Sequence, residues 1–165
     1  MIALGVTGSR KGCTVAQYER LRRLLADHAE CFCEIHHGAC VGVDEQVVLL
    51  AGSLKLEAHI VAYPANFSPA SGLVSMVAIE ESDEVKKTTD PLVRNRDIVD
   101  ATSALLACPD TAAPARSGTW STIRYARMRD KLVVVIDPEG TVSWEDHRPP
   151  PLEEPASSVV HYPLL

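Results

Sequence analysis

The chain has 165 residues, 46% of them apolar, and a formal net charge of −6. That length suits one domain with a sizeable core, and the acidic balance argues against broad electrostatic attraction to nucleic acid, which needs a basic surface. No apolar run reaches the length of a membrane span, and the N-terminus lacks the charged-then-apolar layout of a signal peptide.

In chain order, Ile2–Thr7 reads as a short buried strand. A helix is expected from about Thr14, where Thr14 and Gln17 make a capping box and Val15, Tyr18, Leu21, Leu25 and His28 follow helical spacing. Cys31–His37 is the second strand, Val43–Leu54 the second helix and Ala58–Ala62 the third strand, stopped by Pro64. Residues 64–69 have loop chemistry, Leu73–Ile79 fits a short helix or strand, and Glu80–Glu84 is an acidic, solvated run. Asp90-Pro91 opens a helix reaching about Thr102, because an Asp cap precedes Pro at the first helical position. Ala104–Ala107 is the fourth strand, Thr119–Asp130 a helix and Lys131–Ile136 the fifth strand. Residues 138–165 read as an extension of a domain spanning 1–137: an edge strand at Thr141–Trp144, a proline-rich extended tail, and an apolar Val159–Leu165 that needs cover from this domain or a partner subunit. Strand–helix alternation of this kind implies an α/β, Rossmann-like three-layer sandwich with a mainly parallel sheet of order about 3-2-1-4-5.

Three polar loops follow apolar runs: Thr7-Gly8-Ser9-Arg10, Gly38–Asp44 and Ser117-Gly118-Thr119. If the runs are parallel strands, the loops share the carboxyl edge of one sheet, where open α/β sheets bind ligands. Glycine and hydroxyl residues at helix N-termini suit phosphate, because free N–H groups and the helix dipole both favour an anion. A nucleotide-like ligand follows. There is no Gly-x-Gly-x-x-Gly fingerprint and no Gly-Lys-Ser/Thr phosphate loop, which argues against standard dinucleotide oxidoreductases and P-loop NTPases. Arg10, Lys11, Arg94, Arg96, Arg116, Arg124, Arg127 and Arg129 could form a local basic patch, whereas Arg22, Arg23 and Lys55 read as solvated. Arg94 and Arg96 do not share a helix face, so one is expected at the site and the other paired elsewhere, with Asp97 or Asp100.

Cys31, Cys33, His36, His37 and Cys40 are metal-ligand types. Strand alternation, however, sends Cys31 and Cys33 to one face and His36 to the other, and no second ligand pair follows. Structural cysteine is the simpler reading, and no metal or cofactor is expected. A nucleophilic Cys13 or Cys40 has no evident base partner. For acid–base chemistry the candidates are Asp44, Glu45, Asp97 and Glu80–Glu84, with Asp44 also read as a helix-start carboxylate that favours the dipole. The five cysteines lack scaffold-like spacing, which fits a reduced cytoplasmic protein.

Gly8-Ser9-Arg10, His37-Gly38-Ala39-x-x-Gly42-Val43-Asp44, Arg94-Asn95-Arg96-x-Ile98-Val99 and Ser117-Gly118-Thr119-x-x-Thr122-x-x-x-Ala126 occur in that order from residue 2 to about 137. Together they resemble the SLOG superfamily, and more closely the Rossmann-like domain of DNA-processing protein A. The resemblance implies binding of a nucleotide, a nucleotide-derived signal or single-stranded DNA. By position it implies a pocket of Gly8, Ser9, Arg10, Gly38, Arg94, Asn95, Ser117, Gly118 and Thr119; the second loop adds Ala39 and Asp44. Related LOG-type phosphoribohydrolases carry Pro-Gly-Gly-x-Gly-Thr-x-x-Glu, whose Glu helps cleave an N-glycosidic bond. Here Trp120, Ser121 and Thr122 follow Gly118-Thr119, so that carboxylate is absent; hydrolysis would need Asp44 or a residue of Glu80–Glu84 in its place, with Arg94 matching that family's active-site arginine. The expected function is therefore binding of a nucleotide-type small molecule by a homodimer without membrane association. The alternatives are hydrolysis of a nucleoside 5′-monophosphate and binding of single-stranded DNA.

Overall fold

The computed structural model describes residues 1–147, so the expected tail and the apolar Val159–Leu165 lie outside the described residues. Strands β1 (Ile2–Gly8), β2 (Phe32–His37), β3 (His59–Ala62), β4 (Glu84–Val85), β5 (Ala104–Cys108), β6 (Leu132–Ile136) and β7 (Val142–Asp146) form one sheet of order β4-β3-β2-β1-β5-β6-β7. Every neighbouring pair is parallel except β6–β7, which is antiparallel. The five expected strands stand in the expected spatial order, and β4 and β7 extend the sheet at its two edges. Helices α1 (Val15–Asp27), α2 (Val43–Ser53), α3 (Met76–Glu80), α4 (Pro91–Ala101) and α5 (Gly118–Met128) connect them. Among the described residues no helix is long and apolar enough to cross a membrane.

The central strands are apolar at successive positions because both faces are covered. On one face Leu106, Cys108, Val134 and Ile136 pack with Leu21, Leu24 and Leu25 of α1 and with Val43, Val47 and Ala51 of α2. On the other, Leu105, Ala107, Val133 and Val135 pack with Val99 of α4 and with Trp120, Ile123 and Ala126 of α5. The switch between faces at each residue is the period-two alternation of a strand.

The caps form as the sequence predicts. Thr14 and Gln17 make the reciprocal capping box, and Asp90 accepts from the Leu92 N–H at 2.9 Å ahead of Pro91. The buried face of α1 differs from the one expected: Val15 is exposed and Gln17 is buried. The Gln17 amide reaches past its own helix and donates to the carbonyls of Pro109 (2.7 Å) and Ile136 (2.9 Å), tying α1 to the ends of β5 and β6. The 73–79 stretch is divided: Val74 bridges to Cys40, and Ser75 caps α3. The acidic run is solvent-exposed but partly structural, since Asp83 accepts from the Ile60 N–H and Glu84 lies in β4. At the far edge, Arg127 grips Glu145 with two hydrogen bonds of 2.7 Å and anchors β7.

One glycine fixes the helix that matters most for the site. A Cβ at Gly5 would stand 2.9 Å from Thr102 Oγ1 and 3.1 Å from Ile98 Cγ2. Without that Cβ, α4 lies directly on β1. Arg94 sits one turn before Ile98 on the same helix face, and so is carried to the carboxyl end of the sheet.

Candidate functional site

The strand order reverses between β1 and β5, and a cleft of about 290 Å³ opens at the carboxyl ends of those strands. Such a switch point is where an open α/β sheet leaves a crevice. From the β1 end come Gly8, Ser9, Arg10 and Lys11; from the β2 loop, Gly38, Cys40 and Asp44. Helix α4 contributes Arg94, Asn95 and Ile98, and the β5–α5 connection contributes Asp110, Ser117, Gly118 and Thr119. Ten of the eleven expected site residues therefore meet here. Ala39 does not line the cleft: it is buried behind the wall at φ 53°, and its N–H donates to His37 Nδ1 at 3.1 Å.

The floor is built from interlocked backbone. The Ser9 N–H donates to the Cys108 carbonyl, and the Ser9 carbonyl accepts from both Gly12 and Val43 N–H, each bond at 3.1 Å. Gly42 has φ +91°, and a Cβ there would collide with the Ser9 carbonyl, so this position needs glycine twice over. Ser9 Oγ accepts from the Lys11 N–H at 3.1 Å and rounds the turn.

Arg94 is 5% exposed. Its Nη1 donates to the carbonyls of Gly38 and Tyr63, and its Nη2 approaches Cys40 Sγ at 3.5 Å. Its Nε is buried without a partner among the described residues. The residue thus fastens the β2 loop to the end of β3 while holding a positive charge in the cleft wall. The other arginine of the pair is placed elsewhere, as expected, but against an aromatic ring instead of an aspartate: Arg96 lies 5.5 Å from the Tyr125 ring centroid. The Asp100 carboxylate is taken by Arg129 and the Tyr125 hydroxyl.

Asp44 is buried in the first turn of α2, and its Oδ2 accepts from the N–H groups of Gly38 and Cys40, each at 3.1 Å. Burial raises its carboxyl above the usual range, against the opposing pull of Arg94 and the two N–H bonds. The same burial, with Asp44 beside it, pushes the Cys40 thiol up, which makes Cys40 a poor thiolate. His37 accepts from Ala39 N–H at Nδ1, so its proton sits on Nε2 and is donated to Ser82 Oγ at 2.9 Å; Ser82 in turn donates to the Ala78 carbonyl at 2.6 Å. Burial, helped by the charge of Arg94, lowers the His37 pKa to about 3 and keeps it neutral. His36 is held by the Tyr63 hydroxyl and Glu34. The histidines that looked like metal ligands thus serve as hydrogen-bond links of the β2 end.

At the opposite wall Ser117 caps α5, accepting from the Trp120 N–H at 3.2 Å. The N–H groups of Gly118 and Thr119 have no acceptor within the helix, and both residues border the cleft. Thr122, at the position of the LOG-type carboxylate, donates to the Gly118 carbonyl. Across the rim, Lys11 Nζ and Asp110 Oδ2 stand 3.6 Å apart, and Arg10 lies 4.8 Å over the Phe67 ring. Sequence reasoning did not place Asp110 at the site; its nearness to Pro109 at a strand end was the available signal. Glu45 and Asp97 do not line the cleft, nor does any residue of Glu80–Glu84. Of the remaining patch residues, Arg127 and Arg129 are committed to Glu145 and Asp100, and Arg124 reaches the Ala115 carbonyl.

No protein-family model matches the chain, and no curated protein sequence matches it. Solved structures do. A molybdenum cofactor binding protein from the phototrophic bacterium Rippkaea orientalis is 22% identical with TM-score 0.57, over 82% of this chain and 76% of that one. The structural-genomics target TM1055 is 15% identical with TM-score 0.59, over 81% and 72%. DNA processing protein A from Helicobacter pylori, described for its single-stranded DNA binding mode, is 17% identical with TM-score 0.57; the match covers 81% of this chain and 64% of that one. Likeness at these identities is a likeness of fold. The chain carries the α/β, Rossmann-like fold of these structures.

Proposed function

We propose that the cleft at the β1/β5 switch point binds a nucleotide or nucleotide-derived ligand by its phosphate. The observation that carries this reading is the convergence, on one cleft, of the Ser9–Arg10 turn, the start of α5 at Ser117–Thr119, and the guanidinium-bearing Arg94. Arg94 puts a positive charge on the cleft wall, and a phosphate is the anion its guanidinium suits. The Gly118 and Thr119 N–H groups and the dipole of α5 add to the same field. Two proteins of this fold are described as binding a molybdenum cofactor and single-stranded DNA, both of which carry phosphate. The net charge of −6 favours a small ligand over a polyanion.

Calorimetric titration with matched nucleosides and nucleoside mono-, di- and triphosphates tests the proposal. Phosphorylated forms should bind and nucleosides should bind much more weakly. Equal affinity for both would remove phosphate from the reading. Analysing the same mixtures for free base tests hydrolysis, for which the carboxylates at hand are Asp44, committed to two backbone N–H groups, and Asp110, paired with Lys11.

A further inference from the structure

A second concavity, of about 160 Å³, lies at the amino ends of β1, β5 and β6 beneath the last turn of α1. Its walls include Ile2, Leu24, Phe32, Leu132, Val134 and Trp144, and are almost wholly apolar. Trp144 stands on the rim, 55% exposed, with its ring edge-on to His28 at 6.1 Å between centroids. An open apolar groove with a half-exposed tryptophan marks a surface that gains from being covered.

The strand register shows where cover is at hand. Trp144 pairs with Val134 and Asp146 with Leu132, and both partners are groove walls. The described residues therefore end at the groove's own edge. Beyond it, residues 148–158 carry four prolines, Glu153 and Glu154, and then Val159-Val160-His161-Tyr162-Pro163-Leu164-Leu165 follows. Leu152 apart, the first stretch is proline, charged or small, whereas the second has a run of the side chains an apolar groove takes. Three adjacent strands are only about 10 Å across, whereas eleven residues can span a few tens of ångströms, at most about 3.3–3.6 Å each. We propose that the groove is the docking site of this chain's own Val159–Leu165 segment. Tethering at the rim gives that segment a high effective concentration, which favours it over the same segment of a second copy.

The two tryptophans make the test direct. Trp120 is buried, so the emission and quenching lost in Trp144→Phe belong to the rim. In the full chain at high dilution, Trp144 should be shielded from acrylamide. The double change Leu164→Asp and Leu165→Asp leaves every groove residue intact; it should red-shift Trp144 and raise its quenching, with far-UV circular dichroism unchanged. Equal quenching in both proteins would overturn the proposal. So would shielding that disappears on dilution in step with a fall in mass by light scattering, because the segment would then come from a second copy. If the double change disturbs the fold, Tyr162→Asp alone supplies the same reading.

Discussion

Arg94 passes directly over Gly38: its Nη1 donates to the Gly38 carbonyl, and a Cβ at residue 38 would occupy the place of that nitrogen. The glycine and the arginine lie 56 residues apart in sequence yet form one element, a charge pinned against a strand end.

Gly38→Ala should therefore behave as an arginine variant. The new methyl meets Arg94 and, at 3.0 Å, Asp44 Oδ2, and overpacking of this kind costs about 1–3 kcal/mol. Urea unfolding should show that loss, and calorimetry should show weakened binding of nucleoside phosphates.

Arg94→Ala should weaken a phosphorylated ligand by about 1.5–3 kcal/mol, the range for a hydrogen bond to a charged group. It should also lower stability, because the Gly38 and Tyr63 carbonyls lose their donor. Arg94→Lys restores the charge and one nitrogen for the two carbonyls, but it lacks the Nη2 that reaches Cys40 and the planar fork that suits a phosphate, so it should recover only part of either loss. Unchanged affinity in Arg94→Ala would take this residue out of the ligand site.

Ser117→Ala removes the acceptor of the Trp120 N–H. Loss of such a cap costs about 1 kcal/mol, and the fraying it permits falls on the Gly118–Thr119 turn. Thermal unfolding should report the first effect and phosphate affinity the second.

Acid should destabilise the fold partly through His37. Its pKa falls from 6.5 to about 3 on folding. Between those values the unfolded chain holds a proton that the folded chain does not, so stability rises with pH through that window and is lost as pH falls through it. Asp44 acts in the opposite sense: its raised carboxyl contributes stability at low pH that is lost as pH rises through its folded value. His37→Gln should flatten the dependence of the urea midpoint between pH 4 and 7; an unaltered slope would assign the acid effect elsewhere.

What could be read in the sequence was local. The Thr14/Gln17 box, the Asp90-Pro91 start and the apolar strand runs each carry their signal within a few residues, and each forms. What could not be read depends on distant partners. Gln17 is buried because its amide meets carbonyls 92 and 119 residues away. β4 has only two residues, too few for any period. Arg96 finds a ring on α5 in place of a neighbouring aspartate. At the site, the glycine and hydroxyl loops were legible because each follows an apolar strand run and leads into a helix, a pattern contained within a short stretch of sequence. Ala39 sits behind the wall because its left-handed backbone turns it away, a conformation its residue type does not announce.

One carbonyl, that of Ser9, accepts from both Gly12 and Val43, and Gly42 leaves no room beside it. The Gly12 bond closes the first turn on itself, and that turn cannot slide past the start of α2 without breaking the Val43 bond, so this base is set before any guest arrives. Adaptation to guests of different shape is then left to the solvent-facing lip, where the long side chains of Arg10 and Lys11 can swing without disturbing the foundation.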